Sequence, residues 1–367
     1  MKELETVSLA KCPSYREEAL RPALLELLEP WGGAGGLISS GQKVLLKPNL
    51  LTAAPPEEAV TSHPALISAL VQLFQEAGAR VFIGDSPGGG SYTRVLQVTG
   101  MLEVARKTGA EILSFSEAGG RLVDGRRIPL AKALEEVDLV VNVAKLKTHP
   151  LSGLTAAVKN TFGCVVDKHK MRLHLEHPSP GRFGRLLLDI CLAVNPGFNI
   201  IDAVIGMEGQ GPRNGRPRPI GLLLAGKSAV AVDTVAAAIA GFKPVEVTTL
   251  EAAKRRKLPG SSLADIRLAG LSLEEARIDQ FDRGVIARGR IDRLVTHYPV
   301  HWVMNLFRRM RPYPRVDRRA CRGCRICAQH CPPQVISIED GAALIDRGRC
   351  IRCYCCQEMC PYGAVRL

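Results

Sequence analysis

Cys321-Arg-Gly-Cys324-Arg-Ile-Cys327-Ala-Gln-His-Cys331-Pro332 recurs as Cys350-Ile-Arg-Cys353-Tyr-Cys-Cys356-Gln-Glu-Met-Cys360-Pro361. Each cysteine of the first run returns 29 positions later, Cys321 as Cys350 and Cys331 as Cys360. Two-residue gaps let one tight loop aim three sulfurs at a compact body. The proline after the fourth cysteine turns the chain away where no backbone donor is required. Zinc also uses paired Cys-x2-Cys. Three successive cysteines at this spacing, in tandem and each run closed by proline, point instead to cubane iron–sulfur clusters.

The pattern resembles that of bacterial two-[4Fe–4S] ferredoxins, in which the fourth cysteine of each run ligates the other run's cluster. The resemblance implies that Cys321, Cys324, Cys327 and Cys360 hold one cluster and that Cys350, Cys353, Cys356 and Cys331 hold the second. Cys355 fits no ligand slot and reads as a bystander, with substitution for Cys356 as the alternative. Between the runs, Val335-Ile-Ser-Ile338 and Ala343-Leu-Ile345 flank Asp340-Gly341, a hairpin signature, and Ala364–Leu367 is expected to add a closing strand. A module this small buries little apolar surface, so the clusters are expected to hold it together.

The remaining length, out of 367 residues, suffices for one larger domain. Apolar residues make up 46% and aromatic ones only 5%, so its core is expected to be aliphatic. The N-terminal Met-Lys-Glu-Leu-Glu lacks an apolar signal region, and no uncharged apolar stretch is long enough to span a membrane. Thiols and clusters need a reducing compartment, which points to the cytoplasm.

The net charge is +13, and six arginines fall between Arg308 and Arg319 against the single acid Asp317. Arg283, Arg288, Arg290 and Arg293 precede them. Thiolate-bound clusters are anionic, so one reading sets this charge over them. A second makes it a docking surface for an acidic electron carrier. Nucleic acid is disfavoured, since neither a recognition-helix motif nor an aromatic stacking platform is present.

Along the chain, helices and strands alternate. Residues 16–29 read as an amphipathic helix and Lys43–Lys47 as a strand. A helix starts at Pro64, and a strand runs from Arg80 to Gly84. Helix 99–108 leads to strand 111–115, and a helix around Leu130–Glu136 to a buried strand at Asp138–Val143. Phe183–Val194 reads as helix, Asn199–Ile205 and Ile220–Ala225 as strands, and Ser228–Gly241 as helix. The expected fold is α/β, a mostly parallel sheet with flanking helices over residues 1–275. It is followed by an arginine-rich connector (276–314) with a short helix around Trp302–Phe307, and by a small α+β ferredoxin-like domain (315–367).

Ligands in such sheets gather at the carboxyl ends of strands. One end carries Gly84-Asp85-Ser86-Pro87-Gly88-Gly89-Gly90, a loop able to bring backbone N–H groups to an anion, with Asp85 at its rim. A second carries Lys145-Leu-Lys147-Thr148-His149 followed by Lys159, cations able to bind an acidic group or share a proton. A third carries Glu208, a further carboxylate for the cleft. His169, His174 and His177 match no metal signature and read as solvated.

Lys47-Pro48-Asn49, Thr61-Ser-His63-Pro64, Gly84-Asp85-Ser86-Pro87-Gly88, Lys145-Leu-Lys147-Thr148-His149, Val158-Lys159-Asn160 and the run Asp202–Glu208 together resemble domain-of-unknown-function family 362. That resemblance implies an iron–sulfur protein with an α/β domain and supplies no reaction. His149, Gly153 and Lys159 also stand at offsets zero, four and ten, as in lactate racemase-like proteins. There the lysine tethers a nickel pincer nucleotide and the histidine is an acid–base group. Thr155-Ala156-Ala157 replaces a serine and paired glycines, and His63 stands where those proteins commonly have arginine. The resemblance therefore extends to the fold and argues against the same cofactor, while leaving room for an unidentified second cofactor in the α/β domain.

Two functions are consistent with these residues. In the first, an oxidoreductase passes electrons between the clusters and a small anionic ligand in the α/β cleft, with Lys147, His149 and Lys159 as the catalytic candidates. Asp85, Gly88, Lys145 and Glu208 are then further ligand-cleft candidates. In the second, a non-catalytic carrier or assembly protein docks a partner through the α/β domain.

Overall fold

The computed structural model describes residues 4–123, 126–286 and 311–367. The expected connector helix around Trp302–Phe307 and the arginines Arg288, Arg290, Arg293, Arg308 and Arg309 lie outside the described residues.

The large domain contains β1 (Glu5–Lys11), β2 (Lys43–Lys47), β3 (Arg80–Ile83), β4 (Glu111–Ile112), a small hairpin of β5 (Arg121–Val123) and β6 (Arg126–Ile128), β7 (Leu139–His149), β8 (Gly153–Thr155), β9 (Phe198–Glu208), β10 (Arg216–Gly226) and β11 (Ile266–Gly270). All but the small hairpin join one sheet, in the order β11-β1-β10-β9-β7-β2-β3-β4 with β8 beside β7. The half from β9 to β4 is parallel, as expected. The β9–β10 and β1–β10 pairs are antiparallel. Residues 209–215, which join β9 to β10, are too few for a crossover helix, so the chain returns as a hairpin.

Several elements differ from expectation. The polar segment expected just past a strand is part of that strand: β7 runs on to His149 and β9 to Glu208. The helix expected near 99–108 spans Met101–Thr108, and a separate helix, Tyr92–Val98, precedes it across the left-handed Gly100 (φ 77°). The stretch around Leu130–Glu136 forms only a 3-10 turn at Lys132–Glu135. Bridges at Leu130 and Ala131 tie its start to neighbouring backbone. Strand β1 and the β5–β6 hairpin were not anticipated.

The core is aliphatic. Val141 and Val143 of β7 pack on one face of the sheet with Leu24, Leu70 and Phe74. Ala144 and Leu146 pack on the other face with Val235 and Ala236. Side chains alternate along a strand, so Lys145, Lys147 and His149 extend the row of Val141 and Val143 past the end of the apolar layer.

In the small domain β12 (Arg315–Val316) pairs with β15 (Val365–Arg366), the expected closing strand. Strands β13 (Ile336–Glu339) and β14 (Ala342–Ile345) form the expected hairpin. Asp340 (φ 47°) and Gly341 (φ 75°) are both left-handed, as an Asp-Gly two-residue turn requires.

The two domains are packed together. Tyr354 is buried among the apolar side chains around Phe183, and its hydroxyl donates to Pro312 O at 3.0 Å. Gln357 donates to Gln210 O (3.0 Å) and Gly211 O (3.2 Å), and its own carbonyl accepts from Asn214 at 3.0 Å. Arg311 donates to Pro178 O at 2.8 Å.

The glycine loop is part of this contact. A Cβ on Gly89 would stand 2.4 Å from His330 Nε2 and 2.6 Å from Met359 Cε, while the Gly88 amide is already given to Leu51 O at 2.8 Å. At these positions glycine serves close approach of the small domain. Gly89→Val is therefore expected to leave iron content unchanged while speeding amide hydrogen exchange across Cys355–Met359. Unchanged exchange in that helix would show that the contact does not depend on the missing side chain.

Candidate functional site

The three polar side chains of the β7 row have different fates. Lys145 is buried and donates to Asp202 Oδ2 (2.7 Å), Tyr15 OH (2.9 Å) and Ile205 O (3.0 Å). Tyr15 donates to the other Asp202 oxygen at 2.6 Å and stacks on His63 with ring centroids 3.6 Å apart. Burial pushes the Lys145 pKa down against the pull of Asp202. Lys147, also buried, donates to Val60 O (2.6 Å) and Asn49 Oδ1 (3.0 Å). Burial, and then the positive charge of Lys159, push its pKa well down.

His149 accepts at Nδ1 from the backbone N–H of Leu151 (3.0 Å) and Ser152 (3.2 Å). Two donors at Nδ1 put its proton on Nε2. That atom faces Glu358 Oε1 at 3.8 Å and has no hydrogen-bond partner. Burial, with Lys159 adding to it, lowers the His149 pKa to about 4.

Lys159 sits on the short helix Ala157–Asn160, whose N-terminus is capped by a buried carboxylate. Asp233 accepts from Ala157 N–H (2.6 Å) and Val158 N–H (3.0 Å), and burial raises its pKa to about 7. Lys159 Nζ is 3.8 Å from the same Glu358 oxygen that His149 faces. Asn160 joins a ladder of amides. Asn49 donates to Asn160 (2.8 Å), Asn160 to Asn142 (2.8 Å) and Asn142 to Asn199 (2.9 Å), which fixes the floor beneath Lys159.

Between the domains lies a cavity of about 80 Å³. The α/β domain supplies Asp85, Gly88, Lys159, Asn160, Lys170 and His174, and the small domain supplies His330, Cys355, Glu358 and Met359. Asp85 pairs with the buried Lys47 at 2.7 Å and accepts from the backbone N–H of Leu50 and Ser86. Lys170 donates to the Ser86 carbonyl, to Ser86 Oγ (3.0 Å) and to Pro87 O (2.9 Å).

His174 is not solvated, contrary to expectation. It is 7% exposed, stacks on Phe183 (4.4 Å) and meets Phe162 edge-on (5.6 Å), and burial lowers its pKa to about 4. His169 and His177 are half-buried.

Of the residues singled out from sequence, Asp85, Gly88 and Lys159 line the cavity, with Lys147 and His149 behind it. Lys145 is committed to Asp202, and Glu208 lies apart, facing Arg216 at 3.4 Å and accepting from Asp282 N–H at 3.1 Å. Lys170, Asn142, Asp233 and Glu358 also shape the site. Of these only Asp233 carried a signal in the sequence, as the lone acid in the largely apolar run Ala229–Ile239.

The cysteines gather in two groups of four. Cys321, Cys324, Cys327 and Cys360 line one pocket. Burial, followed by Cys360, Cys324 and Cys321, pushes Cys327 up to about 11. Cys356 is likewise raised, by burial and then by Cys353, Cys350 and Cys331. Backbone N–H groups of Val335, Ala343 and Arg352 donate at 3.4 Å to the sulfurs of Cys331, Cys321 and Cys350.

These donor sets fit an iron–sulfur cluster: crowded thiolates need a cationic body between them, and amide donors offset their charge. Among the described residues no three His, Cys, Asp or Glu side chains converge closely enough to hold a single metal ion. Cys355 is buried beside Cys353, and a hydrogen bond between them lowers the Cys353 pKa.

Comparison with known proteins agrees with both halves. Residues 44–238 match the family described as domain of unknown function DUF362, and residues 320–364 match a 4Fe-4S dicluster domain. A thylakoid-associated protein from Synechocystis sp. is 37% identical over 257 residues, covering 69% of this chain and 79% of that protein. Among solved structures, the lactate racemase apoprotein from Thermoanaerobacterium thermosaccharolyticum aligns with a TM-score of 0.39 at 14% identity. It covers 62% of this chain, which spans only 54% of the racemase. A Thermotoga maritima protein aligns with a TM-score of 0.35 at 13% identity, over 57% of this chain and 55% of that one. Among the described residues no helix is long and apolar enough to cross a membrane. The chain is an iron–sulfur protein of the DUF362 family, with a ferredoxin-type 4Fe-4S domain at its C-terminal end.

Proposed function

We propose that this protein is an oxidoreductase in which two [4Fe–4S] clusters exchange electrons with a small anionic ligand bound between the domains. One observation carries the reading: the helix bearing Cys355, Cys356 and Glu358 forms a wall of the cavity whose opposite wall bears Lys159 and Lys170. Cys321, Cys324, Cys327 and Cys360 would hold one cluster, and Cys331, Cys350, Cys353 and Cys356 the other. Bound there, each cluster stores and passes one electron.

The chain's own residues supply the rest. Lys159 and Lys170 attract the anion. Glu358 reaches the cavity with His149 Nε2–H and Lys159 Nζ behind it, so protons can enter where electrons arrive. Lys147 fixes Asn49 and through it the amide ladder. The protons that a reduction of the ligand takes up would pass through these groups. The electrons come from a partner protein, for which the chain's positive charge favours an acidic surface. Clusters of this kind need a reducing compartment such as the cytoplasm.

The alternative, a carrier without chemistry of its own, is favoured by the small volume of the cavity. One measurement assigns the cluster ligands and a second separates the readings. Protein purified without oxygen is expected to hold about eight iron atoms per chain, since each cluster contains four. Cys356→Ser is expected to lose about half of that iron and Cys355→Ser none of it. Equal losses from both would reassign the ligand. Dithionite-reduced protein should then be mixed anaerobically with a panel of small carboxylates and oxoanions while the visible cluster absorbance is followed. Reoxidation by at least one compound, abolished in Lys159→Ala at unchanged iron content, is the expected result. No reoxidation by any compound, or equal rates in both proteins, would leave the carrier.

A further inference from the structure

The two groups of cysteines differ in where they face. Cys331, Cys350 and Cys356 are buried and Cys353 is half-buried, on the side toward the α/β domain where Cys355 and Glu358 meet the cavity. In the other group Cys321 is half-buried and Cys324 is exposed, which makes Cys324 the one exposed cysteine among the described residues. The loop around it is cationic. Arg318, Arg319, Arg322 and Arg325 are all exposed and lie within eight residues. The acids nearby are few: Asp317 faces Arg366 at 3.4 Å, and Asp340 faces Arg318 at 3.5 Å while itself 90% exposed. Tyr362, half exposed, borders the same group of cysteines.

We infer that electrons enter through this face from a small acidic one-electron carrier protein, which docks on Arg318, Arg319, Arg322 and Arg325 over the Cys324 loop. The inference rests on the proposed electron path to the cavity and gives that path a direction, from the exposed cysteine group to the buried one. Each encounter would oxidise the carrier by one electron, and a cluster held by Cys321, Cys324, Cys327 and Cys360 would take that electron up. Two encounters supply the pair that a two-electron reduction consumes. Charge placed around the exposed donor set, rather than around the buried one, steers the carrier to the end of the path where a partner can approach.

The test uses the intact, cluster-loaded protein and a small acidic plant-type ferredoxin as the probe. Binding kinetics are followed by surface plasmon resonance, and the electron paramagnetic resonance of dithionite-reduced protein reports cluster integrity. Association is expected to weaken steeply as salt rises, because exposed charges are screened over about 10 Å at 0.1 M. The triple variant Arg318→Glu, Arg319→Glu, Arg322→Glu is expected to slow association about tenfold or more at low salt, with iron content and cluster signals unchanged. The same charge reversal at Arg106, Lys107 and Arg277, which are exposed outside the small domain, is expected to have a much smaller effect. Equal slowing by both triples, or wild-type association in the first, overturns the docking face. Neither outcome touches the lysine-dependent reoxidation test. Conversely, failure of that test at normal ferredoxin binding would remove the cavity chemistry and leave the docking face standing.

Discussion

Burial of Glu358 against the α/β domain is the constraint on which the arrangement depends. Its carboxylate has little contact with water and lies 3.8 Å from both His149 Nε2 and Lys159 Nζ. A buried charge is costly unless paired, and the α/β domain presents cations that need an acid. Lys47 is matched by Asp85 and Lys145 by Asp202. Lys159 then meets the incoming Glu358 at 3.8 Å as its acid. That contact anchors the small domain at the rim of the cavity, so the same pair serves docking and shapes the site.

The three lysines most alike in sequence are separated by geometry. Lys145 closes a buried network with Asp202 and Tyr15, and Lys147 holds a carbonyl and an asparagine amide. Both use the permanent pairing that burial demands. Lys159 alone of these three reaches the cavity, because it sits on a separate short helix held by Asp233 rather than on the strand. A carboxylate that caps this helix from the opposite side fixes the ammonium's position without competing for its charge.

How much was legible follows from how local each signal is. The cysteine repeat and the Asp-Gly hairpin are set by neighbours a few residues apart, so spacing was enough. The start of the parallel half was legible for the same reason, since β2 and β3 are each followed by helix before the next strand. The end of β7 was not: Lys145, Lys147 and His149 break the apolar run that marks a buried strand, and only contacts with Asp202, Val60 and Glu358, all distant in sequence, make burial there tolerable. His174 was misjudged on the same ground, since the aromatic rings that enclose it come from Phe162 and from Phe183 on the next helix. The glycine loop was placed correctly at a strand end, but its purpose depends on His330 and Met359 more than 240 positions away. Glu358 had no local signal, lying between two cysteines whose own pattern absorbed the reading.

The position of Glu358 also explains why the two domains belong in one chain. It is two residues from Cys356 and two from Cys360, so the fold of the cysteine loops fixes it as firmly as it fixes their sulfurs. A separate ferredoxin meeting the α/β domain in passing would have to desolvate this carboxylate, and the lysines opposite it, at every encounter. Fusion makes that contact permanent, and the glycines at Gly88 and Gly89 let it be close. The cavity is then complete only when the small domain is seated, with cations from one domain, a carboxylate from the other, and the buried cysteine group directly behind the wall they share.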